Sequence, residues 1–299
     1  MSKPTEVSLS PSADAWRRLR RNPIAVVAGI YLILLLTAAL GANLFTHYAY
    51  DFQDTQRYLT NPSPPDHNHW FGTDALGRDV FSRLLFGARV SLGVTAVVVV
   101  IEALIGISLG LFAGYRGGKT DLLLMRLTDI MFAFPDLLLA ILLSAVVRSG
   151  SDALPGWLSL GTLFFALGVV GWPGMARLVR GQTLALREKE YIEAARAAGV
   201  PERDILLRHL LPNLSGPIIV QVTQDVAAVI LAEATLSFLN LGVQPPFPSW
   251  GRMIFSSLND MASKPYLLIV PSVALAITVM AVNFLGDALR DAFDPRLRE

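Results

Sequence analysis

Glu190-Tyr-Ile-Glu-Ala-Ala-Arg-Ala-Ala-Gly199-Val-Pro201-Glu-Arg-Asp-Ile-Leu-Leu-Arg-His209-Leu-Leu-Pro212 is a polar island between two long apolar runs. Glu190 to Ala198 is built from strong helix formers. Gly199 then supplies the left-handed residue that ends a helix. Pro201 suits the first position of a second helix, and Glu202 and Asp204 complement its N-terminal dipole. Pro212 is expected to limit that helix at its far end. The segment thus predicts two short helices at an angle. On the first, Ile192, Ala195 and Ala198 share a face, with Glu193 and Arg196 placed elsewhere. Two readings stand: small side chains that fit a partner's groove, or a hairpin lying on a membrane surface.

The flanking runs bring the membrane into the argument. Of 299 residues, 53% are hydrophobic and 16% charged, whereas soluble domains carry about 25% charged residues. A helix needs roughly 20 mostly apolar residues to cross the hydrocarbon core. Ile24 to Phe45, Val90 to Gly114, Leu122 to Val147, Leu158 to Leu178, Ile218 to Leu239 and Tyr266 to Leu289 all meet that requirement. The expected division is a tail over 1–23, a first span over 24–45, and an outer segment over 46–89. A five-helix core then runs over 90–289, with the loop 180–213 inside it, and a tail closes the chain over 290–299. The first apolar run is too long for a signal-peptide core and is expected to be retained.

Charge gives the orientation. With the N-terminus inside, 17 Lys and Arg fall on the inner side, seven on the outer side, and Arg126 within a span. That bias predicts cytoplasmic termini and a cytoplasmic 180–213 loop. The net charge of +1 provides no basic field for nucleic acid. With no cysteine, disulfides, thiolate metal sites and a cysteine nucleophile are excluded. His47, His67, His69 and His209 all lie outside the spans, so no catalytic or metal-ligating set is expected within the membrane.

Several motifs have both a functional and a structural interpretation. Gly106, Gly110 and Gly114 recur every four residues and allow close backbone approach; packing within the subunit is the expected use. Ala113-Gly-Tyr-Arg-Gly-Gly118-Lys119-Thr120 nearly spells a phosphate-binding loop but has no preceding strand, and is expected to be a turn. Asp129, three residues after Arg126, is expected to pair with it. Ionisable groups within spans are costly, so Glu102 and Asp225 invite a role. Gln221 lies four residues before Asp225 on the same face. Gln221 and Asp225 are expected to line a polar path through the spans, with Glu102 lining it or pairing across helices; interhelical bonding alone is the competing reading. The outer Arg78, Asp79 and Arg83 cluster fits either a cap over the helices or a docking surface, and the Pro-rich loop with Trp250 is a second docking candidate.

Glu193-Ala194-Ala195, followed by Gly199 and Leu211-Pro212, resembles the EAA signature of binding-protein-dependent ABC importer permeases. The family form has isoleucine where His209 stands. Gly72 to Arg83, Gly87 to Leu92, Arg126 to Pro135, Ala232 to Leu239, Gly242 to Pro246, Pro248 to Gly251 and Asn283 to Pro295 are similar to the dipeptide, oligopeptide and nickel subfamily, C-type subunit. The resemblance implies an all-α, six-helix type I importer permease in a bacterial or archaeal cell membrane. It also implies that Glu193, Ala194, Ala195, Gly199, Leu211 and Pro212 couple to one or two cytoplasmic ATPases, which bind ATP and magnesium. The other implied partners are a B-type permease, an extracytoplasmic binding protein and lipid. Peptide is the expected substrate, with nickel or another small solute as the alternative. A secondary transporter would show inverted repeats or helices broken at mid-membrane, and the sequence predicts neither. An intramembrane hydrolase lacks its residues.

Overall fold

The computed structural model describes residues 11–54, 62–149 and 156–293. Residues 1–10 and 294–299 of the expected tails, and 55–61 of the outer segment with Arg57, lie outside the described residues.

The chain is all-helical, and among the described residues the sole β feature is an isolated bridge between Thr73 and Asp79. α1 (Pro11–Arg21) carries Arg18, Arg20 and Arg21 in its last turn, where they complement the dipole. Asn22 then caps α2 (Pro23–Leu40), its Oδ1 accepting from the Ile24 and Ala25 amides at 3.0 and 3.3 Å. A single turn, α3 (Ala42–Phe45), follows. α4 (Val80–Arg116) begins ten residues before the apolar run does. The reason is Asp79, whose carboxylate accepts from the Ser82 amide at 2.7 Å and so starts the helix early.

The third apolar run is not one straight span. α5 (Gly118–Phe132) and α6 (Asp136–Ser149) meet at 83°. Pro135 explains the break, because its ring disfavours helical geometry at Phe134. The expectation of unbroken helices is corrected here. Among the described residues five helices are long and apolar enough to cross a membrane, and the bent pair, counted as one span, brings the number to six.

α7 (Gly156–Arg187) leads into α8 (Glu190–Ala197). After Gly199 comes α9 (Glu202–Asp204), a π-turn over Ile205–Leu210, then α10 (Leu211–Phe238). Pro212 does not end the second helix, contrary to expectation. The Leu211 amide reaches back five residues to the Leu206 carbonyl, a wider turn that makes room for the proline ring. Glu202 to Phe238 is therefore one continuous rod of 37 residues. α11 (Trp250–Ser256) and α12 (Tyr266–Phe293) are the last of the described helices.

α4 and α7 form the central pair. A Cβ on Gly106, Gly110 or Gly114 would lie 2.6 to 2.7 Å from Met175, the Ala176 carbonyl or Thr183, respectively. The glycine series thus serves packing within the subunit. Two apolar cores sit along this pair. One, at the hairpin end, joins Leu111 and Met175 to Ile192, Ile205, Leu210 and Leu214. The other joins Val94 and Val98 to Leu163, Leu167, Val229 and Leu236. α2 is peripheral: it buries Ala25, Ala28 and Ala39 and leaves Val27, Ile33 and Leu34 exposed, as a lipid-facing helix does.

Candidate functional site

The hairpin from Glu190 to Pro212 is held by its own chemistry. Ile192 is fully buried and Ala195 packs beside it in the hairpin-end core. Gly199 adopts φ +75°. The Val200 amide then bonds the Ala195 carbonyl at 3.1 Å and the Gly199 amide bonds Arg196 at 3.0 Å, the crossed pair of a Schellman close. Glu190, Glu193, Ala194 and Ala197 remain exposed as one stripe. Ile192 and Ala195 face the core, while Ala198 is exposed, so the three do not share one environment as their spacing predicts. Leu211 is half-buried against the same core, and Pro212 is exposed.

Ion pairs fasten the surrounding helices. Arg116 donates to Glu202 at 2.8 Å, tying α4 to α9. Arg180 grips Asp121 with two bonds of 2.5 and 2.7 Å, tying α7 to α5. Asp129 pairs with Arg177 at 2.6 Å rather than with Arg126. Its partner comes from α7 because α5 packs against that helix; three-residue spacing alone misassigns it. The Asn213 side-chain Nδ2 donates to the His209 carbonyl at 2.6 Å, which satisfies backbone in the π-turn. Gly117 and Gly118 have positive φ and make the near-phosphate-loop motif a turn between α4 and α5.

Above the hairpin, a cleft of about 420 Å³ opens between α4, α6, α7 and α10. Glu102 and Asp225 line it together, and Asp136 at the start of α6 joins them. Gln221 reaches the cleft through Asp225, donating from Nε2 to Oδ1 at 2.8 Å. Glu102 is only 3% exposed. Its carboxylate occupies the space beside Gly171, where a Cβ would overlap it. Each carboxylate at mid-membrane depth costs about 2.5–3.5 kcal/mol on insertion scales. Three lining one cleft between spans therefore favour water or protein there over lipid. Sequence patterns pass over Asp136, because an acid after a proline at a helix start is ordinary dipole pairing. The signal that would have found it is Pro135 in the middle of an apolar run.

Glu233 has a structural role. It is fully buried and accepts from Ser91 at 2.8 Å and Ser237 at 2.7 Å, joining α10 to α4. The described part of segment 46–89 folds over the helix ends. Tyr266 Oη donates to the Ser63 carbonyl at 2.8 Å, Trp250 Nε1 to the Leu84 carbonyl at 3.2 Å, and Arg83 to the Tyr50 carbonyl at 3.1 Å. Arg78 bonds Asp74, whereas Asp79 meets His69 Nδ1 at 2.9 Å. The expected Arg–Asp79 cluster is thus split between two acids.

Residues 106–299 match the model of the binding-protein-dependent transport system inner membrane component family, and residues 10–65 match the N-terminal domain of oligopeptide transport permease C. A glutathione transport system permease of Pectobacterium atrosepticum is 42% identical over 97% of this chain and 92% of its own length. A dipeptide transport system permease of Bacillus subtilis is 44% identical over 97% and 88%. An oligopeptide transport system permease of the same organism is 40% identical over 99% and 93%. Among solved structures, the MetNI methionine ABC transporter in an inward-facing conformation aligns with TM-score 0.54 at 21% identity, over 71% of this chain and 96% of that one; it shares the fold. The Schellman-closed hairpin, the six-span architecture and these matches have one explanation: the chain belongs to the binding-protein-dependent inner membrane component family and is a permease subunit of an ABC importer.

Proposed function

We propose that this subunit forms half of a peptide translocation path and is driven through its Glu190–Pro212 hairpin by separate ATPases. The observation that carries this is the locked helix α8, whose exposed stripe stands at the foot of the unbroken Glu202–Phe238 rod. Glu193, Ala194 and Ala195 shape the docking helix, Gly199 closes it, and Leu211 and Pro212 join it to the rod. The hairpin and both termini face the cytoplasm, as the charge bias supports. A B-type permease supplies the other half of the path, one or two ATPases carry ATP and magnesium, and an extracytoplasmic binding protein delivers substrate. Gln221, Asp225 and Glu102 belong to the path. Peptide as cargo is supported by the relatives, which are named for glutathione, dipeptide and oligopeptide transport.

The mechanism follows from the rod. Closure of the ATPases moves α8, the hairpin-end core transmits the movement to α10, and Asp225 shifts against α4 and α7. The test is co-purification of the ATPases with this chain, with uptake of a labelled tripeptide in membrane vesicles. Retention of ATPase that is lost with Glu193→Lys supports the proposal. Undiminished retention with that variant contradicts it.

A further inference from the structure

The carboxylate cleft has a chemistry of its own. No lysine, arginine or histidine is among its lining residues. Arg177, the basic residue paired near it, is bound to Asp129 and lies 4.0 Å from the centre of the Phe132 ring. Glu102 is buried, borders the cleft and makes no hydrogen bond or ion pair among the described residues. Asp225, in contrast, has its carboxylate aimed by Gln221. Gly171 on α7 keeps open the space that Glu102 occupies. Among the described residues no three His, Asp or Glu side chains are close enough to hold one metal ion. The acids are spread along the cleft, which suits an elongated organic cation better than a point charge.

We propose that this cleft is a cation subsite, in which Glu102, Asp225 and Asp136 receive a side-chain ammonium or guanidinium group of the transported solute. This rests on the proposed peptide path and adds to it a charge preference. Glu102 and Asp225 form the charge-assisted bonds, Asp136 draws the cation toward α6, and the apolar walls from Leu167 and Val229 hold the aliphatic stem.

Two measurements on the intact transporter, expressed with its own partner subunits, test it. The chain has no cysteine, so Thr235→Cys places a single thiol of this subunit on the cleft wall. Its modification by a cationic and an anionic methanethiosulfonate reagent is followed by the mass of this chain. A preference for the cationic reagent that falls about tenfold with Glu102→Gln plus Asp225→Asn is expected, a change of about 1.4 kcal/mol. Equal reaction with both reagents overturns the proposal, as does no reaction, which would mean a face covered by lipid or by a partner helix. Uptake of Ala-Lys-Ala and Ala-norleucine-Ala is the second measurement. The lysine-to-norleucine ratio is expected to fall about tenfold in the same variants; an unchanged ratio overturns the proposal. If the cationic reagent is preferred but neither peptide enters, the cation subsite stands and the peptide reading falls. Asp225→Asn alone gives the same two readouts if Glu102→Gln lowers the amount of transporter in the membrane.

Discussion

Gly199 has nothing within 4 Å of where a side chain would begin, so its φ of +75° alone calls for glycine. Gly199→Ala is therefore expected to cost about 1–2 kcal/mol in that conformation. The strain falls on the close of α8, so ATPase retention in pull-downs should drop several-fold while the chain remains in the membrane. Gly171 is the opposite case, since a Cβ there would strike the Glu102 carboxylate. Gly171→Ala should lower the melting temperature of the purified complex. Gly181→Ala, in open space on the same helix, should leave it unchanged or raise it by the effect of up to about 1 kcal/mol in helix propensity. The first glycine is legible in sequence because one residue ends one helix. The second is not, because its partner lies 69 positions earlier on another helix.

At the scale of elements, apolar length identifies the membrane helices but misplaces their ends. Asp79 extends α4 beyond its apolar run through a cap, a local bond that hydropathy does not register. Two prolines with the same local signal act differently. Pro135 breaks its span, whereas Pro212 is absorbed by a π-turn whose backbone reaches back five residues. That outcome is set by the packing of Ile205, Leu206 and Leu210 in the hairpin-end core, which no single window of sequence contains. The α4–α7 contact gives a firm prediction. Gly110→Val would drive a side chain into the Ala176 carbonyl and Val179, and overpacking of this kind costs about 1–3 kcal/mol. A lower melting temperature in detergent is expected, with Gly93→Ala, on the same helix but in open space, as the unaffected comparison.

In the whole molecule, one rod from Glu202 to Phe238 joins three levels. The hairpin stands at its foot, Asp225 at its middle and the buried Glu233 near its far end. From Glu202 to Asp225 the rise is about 35 Å at 1.5 Å per residue, enough to carry movement from the proposed dock to the cleft. Motif resemblance in the sequence led to the proposed dock, whereas the cleft emerged only when α6 brought Asp136 to the same cleft as two acids from other helices. Orientation is the point on which the account depends. A thiol-reactive photo-crosslinker placed at Ala194→Cys, on the exposed stripe, tests it in native membranes. The account predicts an adduct that contains an ATPase subunit, and none from Leu76→Cys, exposed at the opposite end of the molecule. An ATPase adduct from Leu76→Cys and none from Ala194→Cys would contradict it.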